Sequence, residues 1–312
     1  MPPPPRVVDL GQGRMLLDLE FRDTEGLVAA YLLPEPEGWA LIETGPTTCR
    51  TALRRAVSTA GVDPREVRDI LVTHIHLDHA GGVGAVAADY PRARLHAHEV
   101  GIPHLAAPER LVAGARRVWG EASDQLWGPV LPAPADRLHA LRGGESLPLR
   151  GGELRVLATP GHAKHHLAFY DSAIAAVFAG DGAGVRLEHS SRIRPAVPPP
   201  DLDLDQLFAS LEVMAQTEPR LLLLSHFGPS PGGAADLARY RSAVERWRDV
   251  ALAAAREQPE AGHVAERLRA FDLEGPEGSA ADTESLVSDY SLAAQGLLRY
   301  FRVHGDLPGV SA

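Results

Sequence analysis

The stretch THIHLDHAGG places three imidazoles and one carboxylate within six consecutive positions, at His74, His76, Asp78 and His79. It directly follows the apolar run Ile70-Leu71-Val72, so these polar side chains begin where a buried strand is predicted. Desolvating four polar groups together is costly unless one partner satisfies them all, and a divalent cation is the efficient partner. The stretch therefore indicates a metal site.

The spacing of these four residues favours two ions over one. In an extended segment, residues two apart share a face, so His74, His76 and Asp78 can converge on one side. The pair Gly81-Gly82 lets the chain turn and bring His79 to the same place. Because four ligands within six residues crowd a single tetrahedral ion, two ions sharing them is the easier geometry.

Three further polar residues stand just after apolar, strand-like segments. They are His162 in LATPGHAKHH, Asp181 in VFAGDGAG and His226 in LLLLSHFG. Each would lie in a loop at a strand end, where a ligand can turn towards a shared site. These three residues are the candidates that complete the ligand set.

In this order the motifs resemble those of the metallo-β-lactamase-fold hydrolase superfamily. Its His-x-His-x-Asp-His signature is followed by a single His, a Gly-Asp and a final His. The resemblance covers roughly residues 7–228, and a five-motif series is far more specific than a lone H-x-H. It implies that His74, His76 and His162 hold one metal. It also implies that Asp78, His79 and His226 hold a second metal. Asp181 would then bridge the two ions.

The resemblance also implies roles outside the ligand set. Relatives carry an Asp in an IDTG-like turn that supports the ligands, and Glu43 of LIETGP stands in its place. His166 matches a further His of many relatives and is expected to orient a ligand. His165 is expected to be solvated. His96 and His98 repeat the H-x-H spacing, but no Asp-His follows, so we expect them to be structural.

Two such cations lower the pKa of a shared water towards about 7 and polarise the group that is attacked, so the expected chemistry is hydrolysis. Asp78 and Asp181 are the catalytic candidates, Asp181 also for proton transfer to the leaving group. The donors suit two divalent ions, most readily Zn²⁺, with iron or manganese as alternatives. The helical tail after His226 is similar to that of hydroxyacylglutathione hydrolase (glyoxalase II).

We therefore expect a glyoxalase II-like, metal-dependent hydrolase whose dinuclear metal-bound hydroxide attacks a thioester, ester or lactone. β-Lactamases of this fold are usually exported and commonly have a Cys where Asp181 stands, which argues against antibiotic hydrolysis. The alternatives are an iron-dependent oxidoreductase of the persulfide dioxygenase type, a phosphodiesterase on the same fold, and a binding protein without turnover.

Composition limits the partners and the compartment. The chain has 312 residues, of which 45% are hydrophobic, and a net charge of -10, which argues against a nucleic-acid surface. No signal peptide follows MPPPPR and no stretch of eighteen apolar residues occurs, so we expect a cytoplasmic protein without a membrane segment. Cys49 is the only cysteine, which excludes an intrachain disulfide. The expected partners are a small-molecule substrate and a second copy of the chain in a homo-oligomer.

The elements that must position these residues follow from periodicity. A β-meander is predicted over residues 6–44, followed by β-α alternation and a second set of strands between residues 137 and 179. This twofold succession predicts an α/β fold, an αββα sandwich over residues 1–228, with a C-terminal helical extension over residues 229–312. Residues 108–134 are predicted to form a helical flap over the pocket with Trp119 and Trp127, for which packing in the core or in an oligomer is an equal alternative. A stiff linker is predicted at 194–200, and amphipathic helices are predicted around 237–254 and 286–300.

Overall fold

Two mixed β-sheets lie face to face with helices on their outer sides. The computed structural model describes residues 5–188, 190, 192–274 and 287–307. Within these ranges, buried side chains of both sheets form one shared core, which includes Leu17, Phe169, Phe178 and Leu223. The predicted αββα sandwich is confirmed.

The first sheet has seven strands in sequence order. Neighbouring strands are antiparallel as far as β4 and parallel from β4 to β7. The strands are β1 (Val7–Gly11), β2 (Arg14–Asp18), β3 (Ala29–Glu35), β4 (Gly38–Ile42), β5 (Val67–Leu71), β6 (Arg94–His98) and β7 (Leu138–Leu141). Its helices are α1 (Arg50–Thr59), α2 (Leu77–Ala80), α3 (Val83–Val86), α4 (Ile102–Ala106), α5 (Glu109–Trp119) and α6 (Ala122–Trp127).

The second sheet has six strands in the order β13-β12-β11-β10-β9-β8. Among the described strands of this sheet, only β11 and β12 are parallel, and the helix α7 (Leu204–Ala215) connects them. The strands are β8 (Ser146–Leu149), β9 (Gly152–Ala158), β10 (Leu167–Asp171), β11 (Ala176–Gly180), β12 (Leu221–Leu224) and β13 (Gly228–Ser230), the last of which the sequence analysis missed.

Three helices complete the described chain: α8 (Ala234–Glu257), α9 (Ala261–Glu274) and α10 (Tyr290–His304). The predicted apolar faces of α8 and α10 are buried, and Trp247 and Leu297 share a second core with Val177 and Leu222 of the second sheet. Leu286 lies outside the described residues. The domain division after residue 228 stays a prediction. No helix among the described residues combines the length and apolarity needed to cross a bilayer.

The loops that follow β4, β5, β9, β11 and β12 meet at one edge of the sandwich. The carboxyl ends of parallel strands lie at the same edge of a sheet, which brings the loops after β4 and β5 together, and likewise those after β11 and β12. The two sheets are joined there, because the Leu167 amide donates to the Thr73 carbonyl at 2.7 Å. Every candidate ligand therefore lies along this edge, in a loop or in the short helix α2 that follows β5.

The segment predicted as a linker is part of the interior instead. Residues 193–197 are buried, and the Arg194 guanidinium lies 3.8 Å from the ring centroid of Tyr290. Ala196 belongs to the first hydrophobic core, and Val197 belongs to the second. The linker prediction was wrong because a Pro-rich sequence specifies an extended backbone but does not specify what packs against it.

The predicted flap is helical, as α5 and α6, but Trp127 is also part of the core. The Trp127 ring stacks on Phe21 with ring centroids 5.8 Å apart and planes 8° from parallel. Trp119, which is partly buried, packs edge-on against Trp127 at 5.8 Å. Replacing Trp127 by alanine therefore removes core packing as well as any contact with a ligand.

Candidate metal centre

The first three candidate ligands converge through their ring nitrogens. His74 Nε2 lies 3.0 Å from His76 Nδ1, and His76 Nδ1 lies 3.0 Å from His162 Nε2. His74 and His76 come from the loop after β5, whereas His162 comes from the loop after β9. The structure thus brings these three nitrogens together.

The second set of candidate ligands, Asp78, His79 and His226, also converges. His79 Nε2 and His226 Nε2 are 3.3 Å apart. The Asp78 Oδ2 atom lies 3.4 Å from His226 Nε2 and 3.8 Å from His79 Nε2. His79 is on the short helix α2, and His226 lies in the loop after β12.

Asp181 stands between the two sets. Its Oδ1 atom is 3.4 Å from His79 Nε2 and 3.6 Å from His226 Nε2. Its Oδ2 atom is 3.5 Å from His162 Nε2. Each carboxylate oxygen thus faces a different set of donors. Oδ1 is buried and makes no hydrogen bond within the part of the chain that the structure describes.

This donor set fits divalent metal ions. Tetrahedral coordination with metal–nitrogen bonds of 2.0–2.1 Å places neighbouring donor atoms about 3.3–3.4 Å apart. The donor contacts measured here, 3.0–3.8 Å, bracket that spacing. The buried Asp181 oxygen that makes no hydrogen bond within the described residues is also consistent with an ion bound beside it. The two clusters of imidazole and carboxylate groups can therefore bind metal ions.

Backbone carbonyls orient two of the imidazoles. His162 Nδ1 donates to the Ala196 carbonyl at 2.9 Å, and His226 Nδ1 donates to the Leu27 carbonyl at 2.8 Å. A proton held on Nδ1 leaves the lone pair on Nε2, which is the atom facing the site. No pattern in the sequence points to either acceptor, since every residue carries a carbonyl.

Glu43 connects both sides of the site. Its buried Oε1 accepts from His79 Nδ1 at 3.1 Å, from the Ser225 hydroxyl at 3.1 Å and from the Thr73 hydroxyl. The Thr73 oxygen in turn lies 3.0 Å from His74 Nδ1. One carboxylate thus fixes the tautomer of His79 directly and supports His74 through Thr73. The longer Glu side chain performs here the support that the resemblance assigns to an Asp.

Replacing Glu43 by glutamine should weaken metal binding about 10- to 100-fold, because an orienting carboxylate that makes its ligand more basic is lost. Equilibrium titration with Zn²⁺ against a competing chelator measures this change. The Glu43→Asp variant keeps the charge and is expected to lose less affinity. Unchanged metal affinity in Glu43→Gln would show that Glu43 does not orient His79.

His166 packs against the turn that carries Asp181. The Gly182 amide donates to His166 Nε2 at 3.2 Å, and His166 Nδ1 donates to the Thr159 hydroxyl at 2.8 Å. Gly180 has a φ of +50°, and a Cβ there would lie 2.7 Å from His166 Nε2, which only glycine avoids. His166 therefore holds the Asp181 turn, in line with the orienting role implied by the resemblance.

Other residues singled out in the sequence belong to neither candidate ligand set, although two of them contact candidate ligands or their neighbours in the chain. His165 is buried, and the Ile75 amide donates to its Nδ1 at 3.4 Å, so the prediction that it is solvated was wrong. His96 pairs with Asp69, as a structural histidine should. The Arg186 backbone is bonded to His226 and Phe227. His189, which like Arg186 follows Asp181 in a polar segment whose sequence allows either a substrate contact or a solvated loop, lies outside the described residues.

Burial keeps the first set of imidazoles neutral. It lowers the pKa of His76 to about 3, with His162 adding to the effect, and it lowers the pKa of His162 as well. Burial and the neighbouring His79 hold the pKa of His74 well below its ordinary value. Neutral imidazole is the form that binds metal. These three side chains are therefore ready to accept an ion at neutral pH.

The pKa values of the imidazoles in the second set are raised instead of lowered, because carboxylates surround them. Burial opposes charge on His79, but Asp181, Asp78 and Glu43 together raise its pKa well above the ordinary value. Burial also opposes charge on His226, yet Asp181 and Asp78 raise its pKa. Burial favours protonated Asp78, but His79 and His226 outweigh it and lower the pKa of Asp78 to about 2. Cationic imidazoles there must lose protons before they bind a metal.

Together, two facing sheets with imidazole and carboxylate donors along one edge define an αββα protein with a candidate metal centre. The chain belongs to the metallo-beta-lactamase superfamily, whose family model matches residues 23–226. That range ends on the last candidate ligand, His226.

Among curated proteins, the chain is similar to metallo-beta-lactamase fold-containing protein ST1585 of Sulfurisphaera tokodaii. The two are 25% identical over 162 residues, 51% of this chain and 60% of that protein. A hydroxyacylglutathione hydrolase of Synechococcus sp. (strain JA-3-3Ab) is 26% identical over 151 residues, 48% of this chain and 47% of that enzyme. The matches thus span about half of this chain and less than two thirds of each of these relatives.

Among solved structures, the metallo-beta-lactamase family protein TTHA1429 of Thermus thermophilus superimposes with a TM-score of 0.62. It is 26% identical, and 89% of each chain is covered. The structure of ST1585 gives a TM-score of 0.64 at 19% identity, covering 87% of this chain and 93% of that one. At 19% identity, the similarity to the structure of ST1585 shows a shared fold alone.

Proposed function

We propose that this protein is a metal-dependent hydrolase that cleaves a small-molecule thioester, ester or lactone with two divalent ions at the candidate centre. The observation that carries the proposal is the position of Asp181. One of its oxygens faces His79 and His226 at 3.4 and 3.6 Å, and the other faces His162 at 3.5 Å. Two neighbouring cations repel each other, and an anionic carboxylate between them offsets that repulsion.

Each residue of the candidate centre has its own role in the proposed reaction. His74, His76 and His162 would hold one ion, and Asp78, His79 and His226 would hold the other. Divalent ions bound there would supply a nucleophilic hydroxide at neutral pH and polarise the carbonyl of the substrate. Asp181 keeps its negative charge, since His79, His226 and His162 outweigh burial and hold its pKa well below the ordinary value. The Asp78 side chain is 22% exposed, so this side of the centre is open to solvent and to a substrate.

Two considerations support an acyl substrate. Several relatives of this chain carry the name hydroxyacylglutathione hydrolase, which denotes cleavage of an acyl bond. The net charge of -10 disfavours a polyanionic substrate such as a nucleic acid. Zn²⁺ is the proposed metal, because imidazole and carboxylate donors in this geometry suit it, as they also suit iron and manganese.

A substrate panel tests this proposal. Protein purified without added metal should contain two divalent ions per chain and hydrolyse members of a panel of thioesters, esters and lactones in preference to phosphodiesters. Prolonged treatment with a chelator should abolish the activity, and Zn²⁺ should restore it.

Three results would contradict the proposal. Oxygen-dependent oxidation of a persulfide with one iron per chain would favour the oxidoreductase, and cleavage of phosphodiesters alone would favour the phosphodiesterase. Two bound ions without turnover on any member of the panel would favour a binding protein.

A further inference from the structure

The backbone carbonyl that orients His162 belongs to a buried segment, residues 193–197, which connects the metal centre with the C-terminal helices. The Ala196 carbonyl accepts from His162 Nδ1 at 2.9 Å. All five residues of the segment are buried. The direction of His162 Nε2, the atom that faces the site, therefore depends on where this segment holds the Ala196 carbonyl.

The peptide group just before this carbonyl is bonded at both of its polar atoms to the C-terminal extension. The Ser288 hydroxyl donates to the Pro195 carbonyl at 2.8 Å, and the Ala196 amide donates to the Tyr240 hydroxyl oxygen at 3.4 Å. Tyr240 is on α8, and Ser288 lies two residues before α10. The Pro195 carbonyl and the Ala196 amide belong to one planar unit, so the two hydroxyls together fix its orientation. Any rotation of this unit would move the Ala196 carbonyl that follows it.

Tyr240 also packs against the turn that carries Asp181. The Gly184 amide donates to the Asp181 carbonyl at 3.0 Å, and a Cβ at Gly184 would lie only 2.4 Å from Cε2 of the Tyr240 ring. The next residue, Val185, pairs with Arg194 through two backbone hydrogen bonds of 3.0 and 2.7 Å. Tyr240 therefore contacts both the turn of the candidate bridging ligand and the buried segment beside it.

Aromatic side chains connect the buried segment to the same helices a second time. The guanidinium carbon of Arg194 lies 3.8 Å from the ring centroid of Tyr290 on α10 and 5.3 Å from that of Trp247 on α8. Tyr290 and Trp247 also donate hydrogen bonds to the buried Asp272 of α9, at 2.9 and 3.1 Å. The C-terminal helices are thus held to one another and to the segment that carries the acceptor of His162.

We propose that Tyr240 and Ser288 are positioning residues for His162, through which the C-terminal helices help to form the first set of candidate ligands. Both side chains are buried, and both lie beyond residue 226, where the match to the family model ends. Apolar packing alone would dock the helices on the second sheet, whereas hydrogen bonds depend on direction and so orient one peptide unit. The orientation of His162 does not depend on which bond is cleaved, but its effect on metal affinity rests on the metal centre of the proposed function.

NMR of the metal-free protein tests the orientation of His162 directly. The double variant with Tyr240→Phe and Ser288→Ala removes both hydroxyls and keeps the ring that fills the core. The His162 Nδ1–H resonance, identified by its absence from the His162→Gln spectrum, should move upfield, and the proton should exchange with solvent about tenfold faster, because its hydrogen bond is weakened. The Nδ1–H of His226, which donates to the Leu27 carbonyl, is the internal reference and should stay unchanged.

The matched control is Tyr290→Phe, which removes a buried hydroxyl of the same helices but not a partner of the Pro195–Ala196 peptide unit. The Tyr290 hydroxyl donates to Asp272, and the phenylalanine ring keeps its place over Arg194. This variant should lower the melting temperature as well, yet leave the His162 resonance and its exchange rate at the wild-type values.

Metal binding gives a second, independent measurement. Equilibrium titration with Zn²⁺ against a competing chelator should show about tenfold weaker binding of one ion in the double variant and little change for the other ion. This is the lower end of the range for loss of a group that orients a metal ligand, since the two hydroxyls act through one intervening peptide unit. Tyr290→Phe should bind both ions as the wild type does.

An unchanged His162 resonance and exchange rate in the double variant would overturn the proposal, as would an equal change in Tyr290→Phe. Each single variant, Tyr240→Phe or Ser288→Ala, should show part of the effect, so the test does not depend on whether the double variant folds. A shifted resonance with unchanged Zn²⁺ affinity would refute the contribution to metal binding. Wild-type protein that binds no metal would refute the proposed function, and the NMR comparison would still decide whether the two hydroxyls orient His162.

Discussion

Replacing Asp181 by alanine should reduce kcat by orders of magnitude and lower the metal content below two ions per chain. The physical reason is that both carboxylate oxygens face donors, one towards His79 and His226 and the other towards His162. In the proposed dinuclear centre, removing the carboxylate would take a ligand from each ion and leave their mutual repulsion without an anion between them. Metal analysis and steady-state kinetics of the same preparation measure both effects.

The control for this variant is His98→Ala. His98 lies on β6, where its Nδ1 accepts from the Val100 amide at 3.2 Å, and it belongs to neither candidate cluster. This substitution should leave metal content and kcat nearly unchanged. Two tightly held ions and near-normal turnover in Asp181→Ala would exclude Asp181 as the bridge.

Lowering the pH should release metal first from the set formed by Asp78, His79 and His226. The carboxylates raise the pKa of His79 and His226 in the metal-free protein, so protons compete with the metal for their ring nitrogens as the pH falls. Each proton that must leave weakens metal binding about tenfold per pH unit below that pKa. The other set does not face this competition near neutrality, since the pKa values of its imidazoles are lowered.

Dialysis at a series of pH values between about 8 and 5, followed by metal analysis, measures this difference. Metal content should pass through a plateau near one ion per chain before the second ion is lost. His79→Gln cannot be protonated in this range and should flatten the first step, at the expense of weaker binding. Simultaneous loss of both ions, or loss from His74, His76 and His162 first, would contradict the assignment.

Sequence alone determined which side chains form the candidate centre. The signature residues from His74 to His79 are close together in the chain, and His162, Asp181 and His226 each follow an apolar strand-like segment. The two-residue period of strands and the roughly four-residue period of α8 and α10 reflect which side chains face a core. Such patterns are local, which is why the sheets and the apolar helix faces could be predicted without knowing how they pack.

Tertiary structure alone decided how those side chains are held. The acceptors of His162 and His226 are the carbonyls of Ala196 and Leu27, which lie 34 and 199 positions away along the chain. Carbonyls carry no residue-specific signal, so no sequence pattern reveals them.

Contacts between distant segments leave no signal in the sequence, and this also explains the predictions that were wrong or stayed open. His165 and residues 193–197 are buried because distant elements cover them, and Trp127 is a core residue in a segment that is tied to the loop after β4. Residue type and spacing describe what a side chain can do. Which groups surround it depends on contacts between segments far apart in sequence, and those exist only once the two sheets have packed.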